Sequence, residues 1–330
     1  VQQEKVIIIG GGPCGMSTAI ELKKKGLEPL IIEKGNIVNS IYHYPTHQTF
    51  FSSSDKLEIG EIPFITERQK PVRNEALAYY RSVAEREKLR IHAFEKVEKV
   101  EKNKQGFSIH TVKNTGDREV YLTDQVVVAT GYYDQPNYMG VKGESLDKVK
   151  HYFKEAHPYY KKNVVVIGGK NSAADATLEL EKAGANVTVL YRGEEYSKSI
   201  KPWILPQFEA LVNKGLVQMD FCATIKEITE TEVIYECNGQ EKRLENDFVF
   251  AMTGYRPDHS FLTKMGVDMD EETGRPTFDE DTMETNVSGI YIAGVIAAGY
   301  NNNEIFIENG RHHGGKIAES IRHKFANQKA

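Results

Sequence analysis

The chain has 330 residues, 40% hydrophobic and 27% charged, and its 47 acidic against 42 basic residues leave a formal net charge of −5. That length accommodates two domains with their own cores, the composition is that of an ordinary globular protein, and the charge argues against a dedicated nucleic-acid binder. No apolar run approaches the ~18 residues of a membrane span. The start, Val1-Gln2-Gln3-Glu4-Lys5, leads straight into a strand and leaves no room for a signal peptide. Cysteines at 14, 222 and 237 form neither a C-x-x-C pair nor a metal-ligand cluster. The expectation is a cytoplasmic protein with no metal and no membrane association.

The first predicted strand, at 6–9, runs into Gly10-Gly11-Gly12-Pro13-Cys14-Gly15 and then a helix from 16. Gly10, Gly12 and Gly15 fit G-x-G-x-x-G in its required strand–turn–helix context. Gly10 permits the tight turn, Gly12 the approach of a pyrophosphate, and Gly15 close helix–strand packing, while the helix N-terminus favours the phosphates. Cys14 lies inside the same loop, where the helix end lowers a thiol pKa and a bound pyrophosphate raises it. A strand at 28–33 ends in Glu33, 18 residues after Gly15, the place of an acid that meets an adenosine ribose. Farther on, the run Thr49-Phe50-Phe51-Ser52 reads either as a lining of hydroxyls and aromatics or as a strand of core aromatics. A strand from 125 ends in Thr130-Gly131.

A second unit begins with the strand at 164–167, followed by Gly168-Gly169-Lys170-Asn171-Ser172-Ala173, a helix over 174–183 and a strand over 186–191. It approximates G-x-G-x-x-A, with Lys170 in the second glycine position, where its ammonium could touch a phosphate. The next strand ends in Arg192 rather than an acid, with Lys198 and Lys201 nearby. That reversal of charge favours a 2′-phosphate, hence NADPH, although a solvated surface base is the plainer reading of Arg192. A later strand ends in Thr253-Gly254. Two such units suggest a resident dinucleotide and an exchangeable one, the arrangement in which a flavin takes hydride from NADPH. The fold expected is α/β, with two Rossmann-like doubly wound domains. The NADPH-binding domain (135–257) is inserted into an FAD-binding domain (1–134 plus 258–330).

With these residues on view, the chain resembles the thioredoxin reductase-like branch of the two-dinucleotide-binding-domain flavoprotein reductases over essentially its whole length. Four segments narrow the likeness: 10–15, 49–54, 151–158 (His-Tyr-Phe-Lys-Glu-Ala-His-Pro) and 305–310 (Ile-Phe-Ile-Glu-Asn-Gly). They are similar to bacillithiol disulfide reductases, FAD- and NADPH-dependent enzymes that act on a low-molecular-weight thiol disulfide. The resemblance implies FAD on the first loop and NADPH on the second. It places Gly12, Pro13, Cys14 and Gly15 along the FAD pyrophosphate, Glu33 and Lys34 at its adenosine half, and Thr49, Phe51 and Ser52 beside the isoalloxazine. Thr130, Gly131, Gly254 and Ile305 complete the expected cofactor contacts.

Two departures from the pattern matter. The second unit has no C-x-x-C, which excludes a dithiol relay of the thioredoxin reductase kind. The C-terminal strand reads Gly289-Ile290-Tyr291-Ile292-Ala293-Gly294-Val295, where many relatives carry Gly-Asp; Val295 cannot make that hydrogen bond, so the Gly294 backbone or a neighbouring polar group must substitute. The segment Asn301-Asn302-Asn303 to Ile307 is expected to open the last helix with an Asn as N-cap, its positive end either steadying charge on a reduced flavin or merely packing. His151, His157 and the pair His312-His313 read as packing or surface residues.

The function expected is NADPH-dependent reduction of a small disulfide by a flavoprotein, in a homo-oligomer, with Cys14 as candidate nucleophile. Cysteine is also simply a small residue suited to a tight loop. The alternatives are a ferredoxin-type NADP reductase, a flavin monooxygenase and a flavin-based redox sensor.

Overall fold

The apolar runs at 6–9 and 126–128 lack polar alternation, the pattern of strands covered on both faces. In the computed structural model they lie side by side in parallel. The structure describes residues 2–301 and 303–327, so Val1 and Asn302 of the segments read above lie outside the described residues. The chain begins with β1 (Gln2–Ile9), α1 (Pro13–Lys24), β2 (Leu30–Ile32), α2 (Asn39–His43), α3 (Arg73–Arg86) and β3 (Arg90–His92). It continues through β4 (Glu95–Asn103), β5 (Gly106–Lys113) and β6 (Arg118–Val128). Next come β7 (Val149–Lys150), β8 (Asn163–Ile167), α4 (Asn171–Lys182), β9 (Asn186–Leu190), α5 (Leu205–Asn213) and β10 (Val217–Asp220). Then follow β11 (Ala223–Ile228), β12 (Glu232–Cys237), β13 (Gln240–Glu245), β14 (Phe248–Ala251) and α6 (His259–Lys264). The last elements are β15 (Ile290–Ile292), α7 (Ile307–Gly310) and α8 (His313–Asn327).

These elements form two compact units. One comprises Val1–Tyr42, Gln48–Gln135 and Tyr255–Ala330; the other comprises His43–His47 and Pro136–Gly254. The first unit's sheet has the order β3-β2-β1-β6-β5-β4. β3, β2, β1 and β6 are parallel, and β4 and β5 form an antiparallel hairpin. β6 pairs with β5 along its first part and with β15, in parallel, at Val126–Val128. In the register of β1 on β6, Val6 faces Gln125 and Ile9 faces Val128. The two carboxyl ends therefore emerge together, where ligands bind in open α/β sheets.

The second unit repeats the idea with the all-parallel order β10-β9-β8-β14-β7. One side of this sheet packs with Ala173, Ala176 and Leu180 of α4 and Phe208 of α5. The other packs with Val233 and Tyr235 of the separate antiparallel sheet β11-β12-β13. The α/β expectation of two Rossmann-like units holds.

The expectation for the C-terminal helix is corrected. The segment from Asn301 does not open the long helix: α7 is a single turn with Phe306 at its N-cap, and α8 starts only at His313. The capping bond comes from inside the turn, because Asn309 Oδ1 accepts from Phe306 N at 2.7 Å. The chain bends where Gly310 lies against Gly294 and the Cys14 side chain.

Candidate functional site

In the first unit the loop between β1 and α1 is built on two close approaches. A Cβ on Gly10, whose φ is +111°, would collide with the Ala129 carbonyl, and one on Gly15 would collide with the carbonyl of Gly10. Gly12, the N-cap of α1, differs: a Cβ there would meet nothing within 4 Å. Pro13 follows at the first helical position, where its missing N–H costs nothing. The backbone at Gly12 thus faces open space at the positive end of α1, a cradle that a side chain would fill, and this is what a pyrophosphate requires.

Glu33, just after β2, is 7% exposed. Its Oε2 accepts from Gly11 N and its Oε1 from Gly35 N, each at 2.7 Å. Each oxygen keeps a lone pair for a ribose hydroxyl. Lys34 beside it forms an ion pair with Asp134. Thr130 and Gly131 follow β6, with Gly131 at φ +69°. In the 49–52 segment a lone antiparallel bridge joins Thr49 to Val72, Phe50 is buried, and Phe51 is exposed. The alternative of a core strand of aromatics is therefore corrected: one aromatic enters the core and the next turns outward.

Cys14 lies in the first turn of α1. A Cβ on Gly294 would stand 3.0 Å from its Sγ, and one on Gly310 2.9 Å, so the thiol packs between the end of the β15 segment and α7. Burial, with Glu308 adding repulsion, pushes the thiol up to about 12. Glu308 of α7 accepts a hydrogen bond from Ser52 Oγ. Gly294 N–H donates to His313 Nδ1 at 3.1 Å. Burial holds His313 down to about 4, which keeps that nitrogen an acceptor. The polar group beside Gly294-Val295 is therefore His313. Ile305 lies next to Gly310. Sequence reading missed Glu308, Asp134 and His313 as partners, because each meets its mate only through the tertiary fold.

In the second unit Gly168 (φ +137°) and Gly169 each occupy a place where a Cβ would collide, with the Met252 carbonyl and the Tyr191 ring respectively. Lys170 is the exposed N-cap of α4. Asn171 ties the helix start to the next loop: its Nδ2 donates to Ser199 O at 3.0 Å and its Oδ1 accepts from Lys201 N at 2.9 Å. That bond draws the segment bearing Lys198 towards the glycine turn. Ser172 is exposed, Ala173 is buried under the sheet, and Arg192 and Lys198 are exposed. Gly254 has φ +88° and its carbonyl accepts from Asn137 N. Farther along α4, burial and Glu179 push the Asp175 carboxyl up to about 7. Cys237 is buried, with Sγ donating to Phe221 O at 3.3 Å. Among the described residues no group of side chains is arranged to hold a metal, and no helix is long and apolar enough to cross a membrane.

Residues 7–294 match the family described as pyridine nucleotide-disulphide oxidoreductase. The chain belongs to that family. It is 65% identical over 321 residues to bacilliredoxin reductase Bdr of Bacillus subtilis (strain 168), covering 97% of this chain and 98% of that one. The solved bacillithiol disulfide reductase Bdr (YpdA) from Bacillus cereus superposes with a TM-score of 0.97 at 66% identity, over 98% of this chain and all of that one. Thioredoxin reductase of T. acidophilum superposes at 0.77 with 25% identity, covering 99% of this chain and all of that one. Membership makes the chain an enzyme, a pyridine-nucleotide-dependent flavoprotein disulfide reductase whose cofactors are FAD and NADPH.

Proposed function

We propose that the enzyme reduces a low-molecular-weight thiol disulfide with electrons from NADPH, that bacillithiol disulfide is its substrate, and that it works as a cytoplasmic homo-oligomer. The observation that carries this reading is the unlike pair of nucleotide loops, an acid (Glu33) beside one and bases (Arg192, Lys198) beside the other, in a chain without C-x-x-C. The names of its relatives, one a bacilliredoxin reductase and one a bacillithiol disulfide reductase, support that substrate class. They also make a small protein carrying the same mixed disulfide a partner to test.

Residues 1–134 and 258–330 would hold FAD, and 135–257 NADPH. When bound, FAD supplies the two-electron carrier between a nicotinamide hydride and a disulfide. The amides at Gly12 and Cys14 would face the pyrophosphate, and Glu33, held by Gly11 N–H, would accept the ribose hydroxyls. Lys34 sits beside that adenosine half, while Thr49, Phe51, Ser52, Thr130, Gly131, Val295 and Ile305 border the rest of the cofactor. In the second unit the turn Gly168–Ala173 receives the NADPH pyrophosphate, with Lys170 as point charge, Asn171 fixing the loop and Arg192 on the 2′-phosphate.

Cys14 is the candidate nucleophile. Its thiolate attacks one sulfur of the disulfide, the other half leaves as thiolate, and a mixed disulfide remains on Cys14. A second reading has an observation behind it: a thiol at about 12, packed against two glycines, is a small loop residue, and the disulfide then meets the flavin directly. Anaerobic titration of the purified flavoprotein with NADPH, followed by turnover on bacillithiol disulfide and other small disulfides, tests the proposal. Bleaching of the flavin with selective turnover on bacillithiol disulfide is expected. An enzyme that bleaches but turns over no disulfide, or that reduces ferredoxin instead, overturns it.

A further inference from the structure

In the first unit three parallel strands end level with one another. Ile9, the last residue of β1, pairs with Ile32 of β2 on one side and with Val128 of β6 on the other. The Gly10–Gly15 loop therefore leaves the sheet from the middle strand of the three. The chain beyond β2 carries Lys34, and the chain beyond β6 carries Asp134. Their ion pair joins the two flanks across that loop. Neither arm is loose. Glu33, next to Lys34, is fixed by Gly11 N and Gly35 N through its carboxylate, and its own N donates to His92 O at 2.9 Å. On the other side Gln135 N donates to Tyr132 O at 3.1 Å and Gln135 O accepts from Arg256 N at 3.0 Å, which closes and anchors the turn that presents Asp134.

The second unit has the same plan without the crossing. There Ile167 of β8 pairs with Leu190 of β9 and Ala251 of β14, and the Gly168–Ala173 turn again leaves from the middle strand. Arg192, beyond β9, is exposed and has no ion pair among the described residues. The residues beyond β14 are engaged elsewhere: Thr253 Oγ1 donates to Asn137 O, and the Gly254 carbonyl accepts from Asn137 N. Of two loops with like geometry, one is bridged and one is open.

We propose that the Lys34–Asp134 ion pair is a strap over the first dinucleotide site that slows the release of FAD, so that FAD stays resident while NADPH exchanges at the unbridged loop. The proposal rests on the reading that puts FAD on the first unit. Asp134 is a positioning residue, acting on the cofactor through Lys34. Partial burial lowers the pKa of Lys34; Glu33 and Asp258 pull it back up, and Lys96 adds to the lowering. The ammonium thus keeps two acidic neighbours when Asp134 is neutralised, and what that change removes is the bridge.

Release of FAD from the holoenzyme, followed by the rise of flavin fluorescence after dilution to nanomolar concentration, tests the strap. Asp134→Asn is expected to speed release about two- to fivefold, the scale of a part-exposed ion pair. Added sodium chloride is expected to speed release from the unsubstituted enzyme more than from the variant, because salt screens the pair. In a Lys34→Met background Asp134→Asn is expected to change nothing further, since the two act as one contact. Glu33→Gln, which removes a ribose acceptor charge, is the control and is expected to speed release with or without the strap. If Asp134→Asn releases FAD at the unsubstituted rate while Glu33→Gln speeds it, the strap is overturned and the placement of FAD stands. Equal acceleration by Asp134→Asn with and without Lys34 also overturns it, because Asp134 then acts alone. If Glu33→Gln too leaves release unchanged, the placement of FAD on the first unit fails and the strap falls with it.

Discussion

A thiol in the first turn of a helix is ordinarily a stronger acid than free cysteine, yet Cys14 moves the other way, to about 12, because burial between Gly294 and Gly310 and the charge of Glu308 outweigh the helix end. Only about one such thiol in 10⁵ is ionised at pH 7. If its thiolate is the nucleophile, kcat/KM for the disulfide rises about tenfold per pH unit across the neutral range, with no plateau before the thiol titrates. A plateau near neutrality would show that another group limits the reaction. Cys14→Ala is expected to keep its FAD and to lose more than about a hundredfold in disulfide-dependent NADPH oxidation; unchanged turnover in a fully flavinylated variant removes the thiol from the mechanism. At the other loop, if Arg192 meets the 2′-phosphate as proposed, Arg192→Ala removes a charge-assisted contact of about 1.5–3 kcal/mol. Steady-state kinetics should then show KM for NADPH raised roughly ten- to a hundredfold and KM for NADH little changed. An equal loss with both nucleotides would place Arg192 away from the 2′-phosphate.

At the scale of the element, the glycines of the first loop do different jobs that substitution separates. Gly15→Ala drives a methyl into the Gly10 carbonyl and is expected to cost about 1–3 kcal/mol of stability, as overpacking does. Gly12→Ala meets no protein atom within 4 Å, so thermal unfolding of the apoprotein should hardly change while retained flavin falls. Matched losses of stability in the two variants would contradict the cradle at Gly12. The same loop explains how much was legible beforehand. Strand, glycine turn and helix are dictated by neighbours in sequence, so 10–15 and 168–173 could be read directly, and the expected helix at 174–183 and strand at 186–191 differ from α4 and β9 by a few residues at their ends. The partners that set the electrostatics are remote: Ser52 meets Glu308 across 256 positions, and Gly294 meets His313 around a bend. The misplaced helix start has the same origin. An asparagine run is a good cap by propensity, but the turn is closed by Asn309 reaching back to Phe306, and contact with Gly294 and Cys14 fixes where the chain bends.

At the scale of the whole molecule, the two units carry half-buried titratable groups, His313 and Asp175, of opposite sign. His313, at the start of α8 in the first unit, has its folded pKa lowered from 6.5 to about 4, first by burial and then by Lys316 and His312. The stability it contributes is present above the unfolded value and is lost as pH falls from about 6.5 towards 4, because the unfolded chain takes up the proton first. Asp175, in α4 of the second unit, has its folded pKa raised from 3.8 to about 7, first by burial and then by Glu179. Above about pH 7 its buried charge is a liability, and stability returns as pH falls from about 7 towards 4, because the folded chain takes up the proton first. Between pH 8 and pH 5 each effect is of order 2 kcal/mol. Acidification over that range is therefore expected to speed amide exchange in α8 and slow it in α4, once intrinsic rates are divided out. Asp175→Asn should erase the response of α4 and leave that of α8 intact, because the variant presents the neutral form at every pH. The same direction of change in both helices would mean that at least one of the two groups does not govern its helix, and an α4 response that persists in Asp175→Asn would remove Asp175 from the account.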